Sequence, residues 1–338
     1  MKKIEVKIVG YNNFQVMYKS FENIKCKIND IEYSISYSTL VMKVIIQTEN
    51  EFIDVEKEFW KLYDYIGFIL GYYPIIDSAL IVSEKNNRVL NLANIVEKYK
   101  TSNDFILEET QFIDKIDNEE FEFTYVNFKK LKEIIELQIS VYNISIMKNN
   151  NYPEIRITNI LQALDGLYDN LSFTKNRRTI VKDINKIKKI KNNINEIDLN
   201  IFNLNDKERK NIKKNISNSI CRLEFVNYDT KLRNLFDYLN DKFNLFELEK
   251  KQISIEKNYD KLISKCKHTR NKLSHVTNIR NSFNGKESAL YVFKIILAFR
   301  LLIIDEIGLS ENIDNKMLNK YINLINKRIV EELKLEEI

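Results

Sequence analysis

The segment from Ser288 to Ile307 sets the strongest constraint on how this chain can fold. Its apolar side chains run almost all the way round a helical surface, so a helix formed there lacks a solvated face and must be central in a core. The densest part, Tyr291 to Ile304, is interrupted by Lys294 and Arg300 and is too short to span a bilayer. Other elements must therefore wrap it. A chain of 338 residues with 44% hydrophobic side chains has enough material for two ordinary domains with real cores.

Two textures divide the sequence. From Lys3 to about Gln47 the pattern is short and β-rich, with strands expected at Ile4 to Val9, Phe14 to Tyr18, Ile31 to Tyr37 and Leu40 to Gln47. These runs of β-branched and aromatic residues are separated by Asn, Asp, Ser and Gly, which suits a small antiparallel sheet. Glu51 to about Leu70 switches to helical period, with Val55, Phe59, Leu62, Tyr63, Ile66 and Ile69 on one stripe that ends near Gly71 and Pro74. Further strands are expected at Ile75 to Val82 and Phe121 to Val126. The polar run Met147-Lys148-Asn149-Asn150-Asn151-Tyr152-Pro153 is the best boundary, closed by one of only two prolines. Beyond it helices are expected at Ile155 to Leu171, Leu232 to Leu239, Tyr259 to Leu273, Ser288 to Ile307 and Met317 to Leu335. The fold class is therefore α+β: a β-rich N-terminal domain over residues 1–150, then an all-helical domain over 153–338.

Charge and cysteine usage exclude some classes. The net charge of +5 arises from 53 basic against 48 acidic side chains, so an anionic partner must be drawn by a local patch rather than by the overall field. The N-terminal residues lack an apolar leader core, and a soluble cytoplasmic protein without membrane contact is expected. Cys26, Cys221 and Cys266 form no CxxC pair and leave an odd thiol, which supports neither a disulfide framework nor a zinc site. Cys266 is read as a small buried hydrophobe.

The chemistry is concentrated in one place. The chain has two histidines, and both fall in Lys267-His268-Thr269-Arg270-Asn271-Lys272-Leu273-Ser274-His275. Histidine titrates nearest neutral pH and is the readiest general acid or base, while arginine is a fixed cation able to hold phosphate bidentately. Arg270 with Ser274, and Asn271 with His275, are i, i+4 pairs that make a small polar patch on a helix. An arrangement capping the end of that helix is the alternative reading of the same residues. His268 is read as a surface or packing residue.

The stretch Arg270-Asn271-Lys272-Leu273-Ser274-His275, preceded by a helix and followed by a loop and a long apolar helix ending Asp305-Glu306-Ile307-Gly308-Leu309, resembles the HEPN superfamily signature of an arginine, four to six residues and a histidine. With Gln162-Ala163-Leu164-Asp165-Gly166-Leu167 on the helix that opens the helical half, and a β-rich region before it, the chain is similar to the ApeA-like antiphage proteins. That resemblance implies a HEPN helical bundle working as a homodimer. It further implies a metal-independent, cofactor-free endoribonuclease that cleaves RNA by 2'-hydroxyl attack, a toxin-like agent of abortive infection answering a phage-derived trigger. Arg270, Asn271 and His275 would be the catalytic residues, with Ser274 a weaker candidate. Asp165 is read as a solvent-facing carboxylate, the alternative being a polar residue that orients the arginine. The competing function is an inactive HEPN-fold module that dimerises and captures a phage component.

Two further features bear on partners. Lys175, Arg177, Arg178, Lys182, Lys186, Lys188, Lys189 and Lys191 face the single acid Asp183 across residues 175 to 191, and clustered cations of this kind suit an RNA backbone. A solvated helix face is the bland alternative. Trp60 with Tyr63, Tyr65, Tyr72 and Tyr73 is read as core packing rather than a base-stacking platform.

Overall fold

The computed structural model describes residues 1–9, 21, 23–38, 41–83, 87–89, 111–146, 152–177, 189–190, 192–193, 204–221, 226–251, 256–275 and 281–333. The expected strand at Phe14 to Tyr18 lies outside the described residues. The others that were expected before residue 50 are present as β1 (Lys2–Val9), β3 (Ile31–Ser38) and β4 (Val41–Thr48), joined by β2 (Ile24–Ile28). With β5 (Ile75–Ser83) and β6 (Asn87–Val89) they form one antiparallel sheet of order β2-β3-β4-β1-β5-β6. Alternation decides its two faces. Ile4, Val6, Ile8, Tyr33, Ile35, Met42, Val44 and Ile46 are buried, while Lys7, Lys25, Lys27 and Glu32 are exposed on the other side.

Helix α1 (Val55–Leu70) packs against the sheet through Phe59, Leu62, Tyr63 and Ile66. Asp54 caps its start by accepting from the backbone N–H of Glu56 and Lys57. Gly71 ends it at φ 80°, a left-handed position where a side chain would be strained.

Phe121 to Val126 is helical, contrary to its strand-like sequence. Asp117 and Glu120 exchange hydrogen bonds to one another's backbone N–H, at 2.9 and 3.0 Å, a capping box that starts α2 (Asn118–Ile146). Phe121, Thr124, Tyr125, Phe128 and Leu131 are then buried at helical spacing, so the local Phe-x-Phe-x-Tyr alternation is overridden by a longer period. Helical texture thus begins ahead of the polar run at 147–153, and α2 packs on α3 (Pro153–Tyr168).

The remaining helices are α4 (Asp206–Cys221), α5 (Tyr228–Phe243), the short α6 (Glu247–Lys251), α7 (Glu256–His275), α8 (Gly285–Glu306) and α9 (Asn315–Leu333). As its composition requires, α8 is central: Val292, Ile295, Ile296, Leu297 and the run from Phe299 to Ile304 are buried. The two charges inside its apolar stretch, Lys294 and Arg300, are buried as well, and each has partners. Lys294 donates to both carboxylate oxygens of Glu249 at 2.7 and 2.6 Å and to Asn326 at 2.8 Å. Arg300 donates to the carbonyls of Phe68 and Ile69 at 2.7 and 2.6 Å, placing a cation on the C-terminal carbonyls of α1. Phe68 stacks on Tyr142 (ring centroids 4.5 Å apart), which stacks on Phe299 at 5.2 Å. One hydrophobic core therefore runs from the sheet into the helices. No described helix is long and apolar enough to cross a membrane.

Candidate functional site

Three helices meet around Arg270. It lies on α7, which packs against both α3 and α5. Its Nη2 donates to Asp165 Oδ2 on α3 at 2.9 Å, and its Nη1 to the neighbouring Asn271 Oδ1 at 3.2 Å. The guanidinium also lies 5.0 Å from the ring centre of Tyr228, the first residue of α5. Asp165 is therefore an ion-pair partner of the arginine; its solvent-facing reading is replaced. Asp165 and Arg270 are 105 residues apart, and the packing of α3 on α7 brings them together, which was the alternative reading of Asp165.

The carboxylate of Asp165 divides its oxygens between two cations. Oδ1 receives Lys231 of α5 at 3.1 Å, and Lys231 also reaches Asp169 Oδ2 at 2.7 Å. Partial burial works against the charge on Lys231, but its bonds to Asp169 and Asp165 outweigh this and hold its pKa above the ordinary lysine value. Tyr228 donates to the carbonyl of Leu161 at 3.3 Å, and burial pushes its phenol far above the ordinary range, so it remains protonated. Lys267, one turn before Asn271, pairs with Asp229 at 2.7 Å. Arg270 retains 32% side-chain exposure, enough for an anion to approach a group whose orientation is already set.

Of the residues expected at the site, the structure joins Arg270 and Asn271 directly. His275 ends α7, and its side chain lies outside the described residues, as does that of Ser274. His268 is partly buried. Cys266 is fully buried and its thiol is pushed up by that burial, in keeping with its reading as a core residue. Tyr228 and Lys231 were missed by sequence reasoning, since neither sits in a local pattern; what marks them is only their meeting with Asp165 and Arg270.

Of the basic run, Lys175 is exposed in a 3-10 turn, Ser172–Arg177, which continues from α3. That turn is fixed by Ser172 donating to Glu306, by Thr174 donating to the carbonyl of Tyr168 and by Phe173 stacking on Tyr238 at 3.9 Å. The backbone of Arg177 closes the turn; its side chain, together with Arg178, Lys182 and Lys186, lies outside the described residues. Tyr63, Tyr65, Tyr72 and Tyr73 are buried and Trp60 packs on Phe59 and Tyr63, so this aromatic group is core.

Residues 158–313 match the family model described as Apea-like HEPN. No curated protein and no solved structure gives a match. The matched span runs from the first turns of α3 to just before α9 and contains Asp165, Tyr228, Lys231, Arg270, Asn271 and His275. HEPN domains are typically ribonucleases and usually act as dimers. Over residues 158–313 the chain is therefore similar to the ApeA-like HEPN proteins.

Proposed function

We propose that this protein is a HEPN endoribonuclease of antiphage defence that cleaves RNA without a metal, with Arg270, Asn271 and His275 as its catalytic residues. The observation that carries the reading is the Asp165–Arg270 pair at 2.9 Å, which holds a partly exposed guanidinium on the helix whose last residue is His275. A cation anchored in this way loses little freedom when it takes a scissile phosphate.

In the proposed reaction the 2'-oxygen of the RNA forms a bond to the adjacent phosphorus while the bond to the 5'-oxygen breaks. His275 takes the 2'-hydroxyl proton, and a second His275, from another copy of the chain, protonates the departing 5'-oxygen. Arg270 holds the non-bridging oxygens as charge builds, and Asn271 steadies Arg270 through its side-chain oxygen. The products are a 2',3'-cyclic phosphate and a 5'-hydroxyl. One chain offers one histidine in the motif, so the composite site requires a homodimer. Lys175, Arg177, Arg178, Lys182 and Lys186 would bind the RNA backbone. Residues 1–150 would serve as the sensing domain for a phage-derived trigger and residues 153–338 as the nuclease, in the cytoplasm.

The test is cleavage of single-stranded RNA by purified protein in excess EDTA, with end-group analysis of the products. Cyclic or 3'-phosphate ends, abolished in His275→Ala at an unchanged melting temperature, are expected. Strict dependence on added divalent metal, or full activity of the alanine variant, would refute the mechanism.

A further inference from the structure

We infer that Tyr228 is a positioning residue for Arg270: its ring fixes the plane of the guanidinium with which the proposed reaction holds its phosphate. The effect on rate rests on the ribonuclease reading above, whereas the contact itself can be tested without any cleavage.

Neighbouring contacts set the ring in place. Asn227 accepts from the backbone N–H of Thr230 at 2.9 Å and so starts α5 at Tyr228, which fixes the direction in which that side chain leaves the helix. Asp229, the next residue, accepts from Lys267 of α7 at 2.7 Å and ties the same turn to the helix that carries Arg270. The phenol of Tyr228 donates to the carbonyl of Leu161 on α3, one turn before Asp165. The ring is therefore a wedge between α3 and α7. The guanidinium of Arg270 lies over it, with the central carbon 5.0 Å from the ring centre.

What the ring adds differs from what Asp165 and Asn271 supply. The N–H bonds of a guanidinium lie in its own plane, so the hydrogen bonds to Asp165 Oδ2 and Asn271 Oδ1, at 2.9 and 3.2 Å, resist sliding of the group within that plane. They oppose tilting out of it only weakly. A ring face under the cation does oppose tilting, because the tilt separates the charge from the negative face of the π system. The tilt matters for this chemistry: a phosphate taken by two N–H groups at once must lie in the guanidinium plane. The ring also replaces water on one side of the cation, so less solvent screens it from the phosphate. Tyr228 acts here through its ring and not through its hydroxyl. The phenol is engaged by the Leu161 carbonyl and stays protonated, which removes it from the proton transfers assigned to His275.

The experiment compares the full-length wild type with Tyr228→Leu, Tyr228→Phe, and Tyr228→Phe carrying successive ring fluorines, which weaken the negative face of the ring while nearly keeping its shape. Tyr228→Phe retains the ring and should keep kcat within about threefold of wild type. Tyr228→Leu should lose about 10-fold in kcat with KM within about twofold. The fluorinated series should lose kcat stepwise toward that level at a constant melting temperature, a response that packing alone would not give. In protein with isotope-labelled arginine, the ring should shift the Nε–H proton resonance of Arg270 upfield, and Tyr228→Leu should remove the shift. A flat kcat across the fluorinated series, or a loss that appears in KM instead, overturns the positioning role. Absence of the ring shift in the wild type overturns the contact, whether or not RNA is cleaved. If the shift is present but the wild type cleaves no RNA, or Arg270→Ala cleaves at the wild-type rate, the contact stands. The ribonuclease reading of Arg270 then falls, and the effect of Tyr228 on rate falls with it.

Discussion

Removal of the Asp165 carboxylate should disable the site while leaving the fold standing. In the structure Asp165 Oδ2 accepts from Arg270 at 2.9 Å and Oδ1 from Lys231 at 3.1 Å, with side-chain exposures of 32% for Arg270 and 22% for Asp165. Solvent screens pairs this open, so each is worth about 1 kcal/mol or less. Lys231 keeps Asp169 at 2.7 Å in any case. Asp165→Ala should therefore cost about 1 to 2 kcal/mol out of the roughly 5 to 15 that keep a domain folded, a fall of only a few degrees in Tm. Its effect on catalysis should be larger. Without its charged anchor the guanidinium is no longer held where the phosphate arrives, and misplacement by about 1 Å costs on the order of 100-fold. The loss belongs in kcat rather than KM, since the positioned cation answers charge that develops only in the transition state. Asp165→Asn retains an acceptor oxygen without the charge and should lose about 10-fold. The assay is steady-state cleavage of a fluorescent single-stranded RNA, paired with a thermal melt of each variant. Activity of Asp165→Ala within about threefold of wild type, or a loss accompanied by a collapse of Tm, would refute a positioning role.

Arg270→Lys should lose most of the activity at unchanged Tm, because an ammonium cannot reproduce the two-pronged contact; near-normal cleavage would reduce Arg270 to a point charge. Glu58, buried between the sheet and α2, accepts from Tyr33 at 2.7 Å, Tyr125 at 2.8 Å and Lys129 at 3.0 Å. Burial raises its pKa, but these donors outweigh it and leave the carboxyl below its ordinary value. On acidification the unfolded chain takes up this proton first, so the contribution is complete above the ordinary glutamate pKa of about 4.3 and is lost as pH falls through the lower folded value. Urea titrations of wild type and Glu58→Gln should converge toward acid pH, and a constant gap between them would contradict the linkage. Lys294→Ala should cost about 3 to 5 kcal/mol by leaving Glu249 buried without its cation, whereas Lys294→Met combined with Glu249→Leu should recover most of it. Equal losses in the two variants, measured by denaturant unfolding, would show that packing rather than charge sets the cost.

Most of the element pattern was legible in the sequence, because it is written in local residue type and spacing. Runs of β-branched and aromatic residues between turn signals marked β1, β3, β4 and β5, the solid apolar run marked α8 as central, and the pairing of Arg270 with a histidine five residues on marked the motif. Phe121 to Val126 misled because six residues of alternation fit a strand, while the helix that contains them is set by a cap at Asp117 and by burial repeated over seven turns. Asp165 was only half legible: the family resemblance offered orientation of the arginine as the alternative to a solvent-facing carboxylate, and the local sequence favoured the wrong one. Its neighbours in sequence say nothing of Arg270 or Lys231, and a lone acid on a helix is ordinarily solvated. Lys294 and Arg300 likewise look like interruptions until the fold supplies Glu249 and the carbonyls of Phe68 and Ile69. Local backbone preference and hydrophobic period act over a few residues and can be read from the chain by itself. Which charge meets which partner depends on helices that close only when the whole core is buried, so tertiary packing alone decided it.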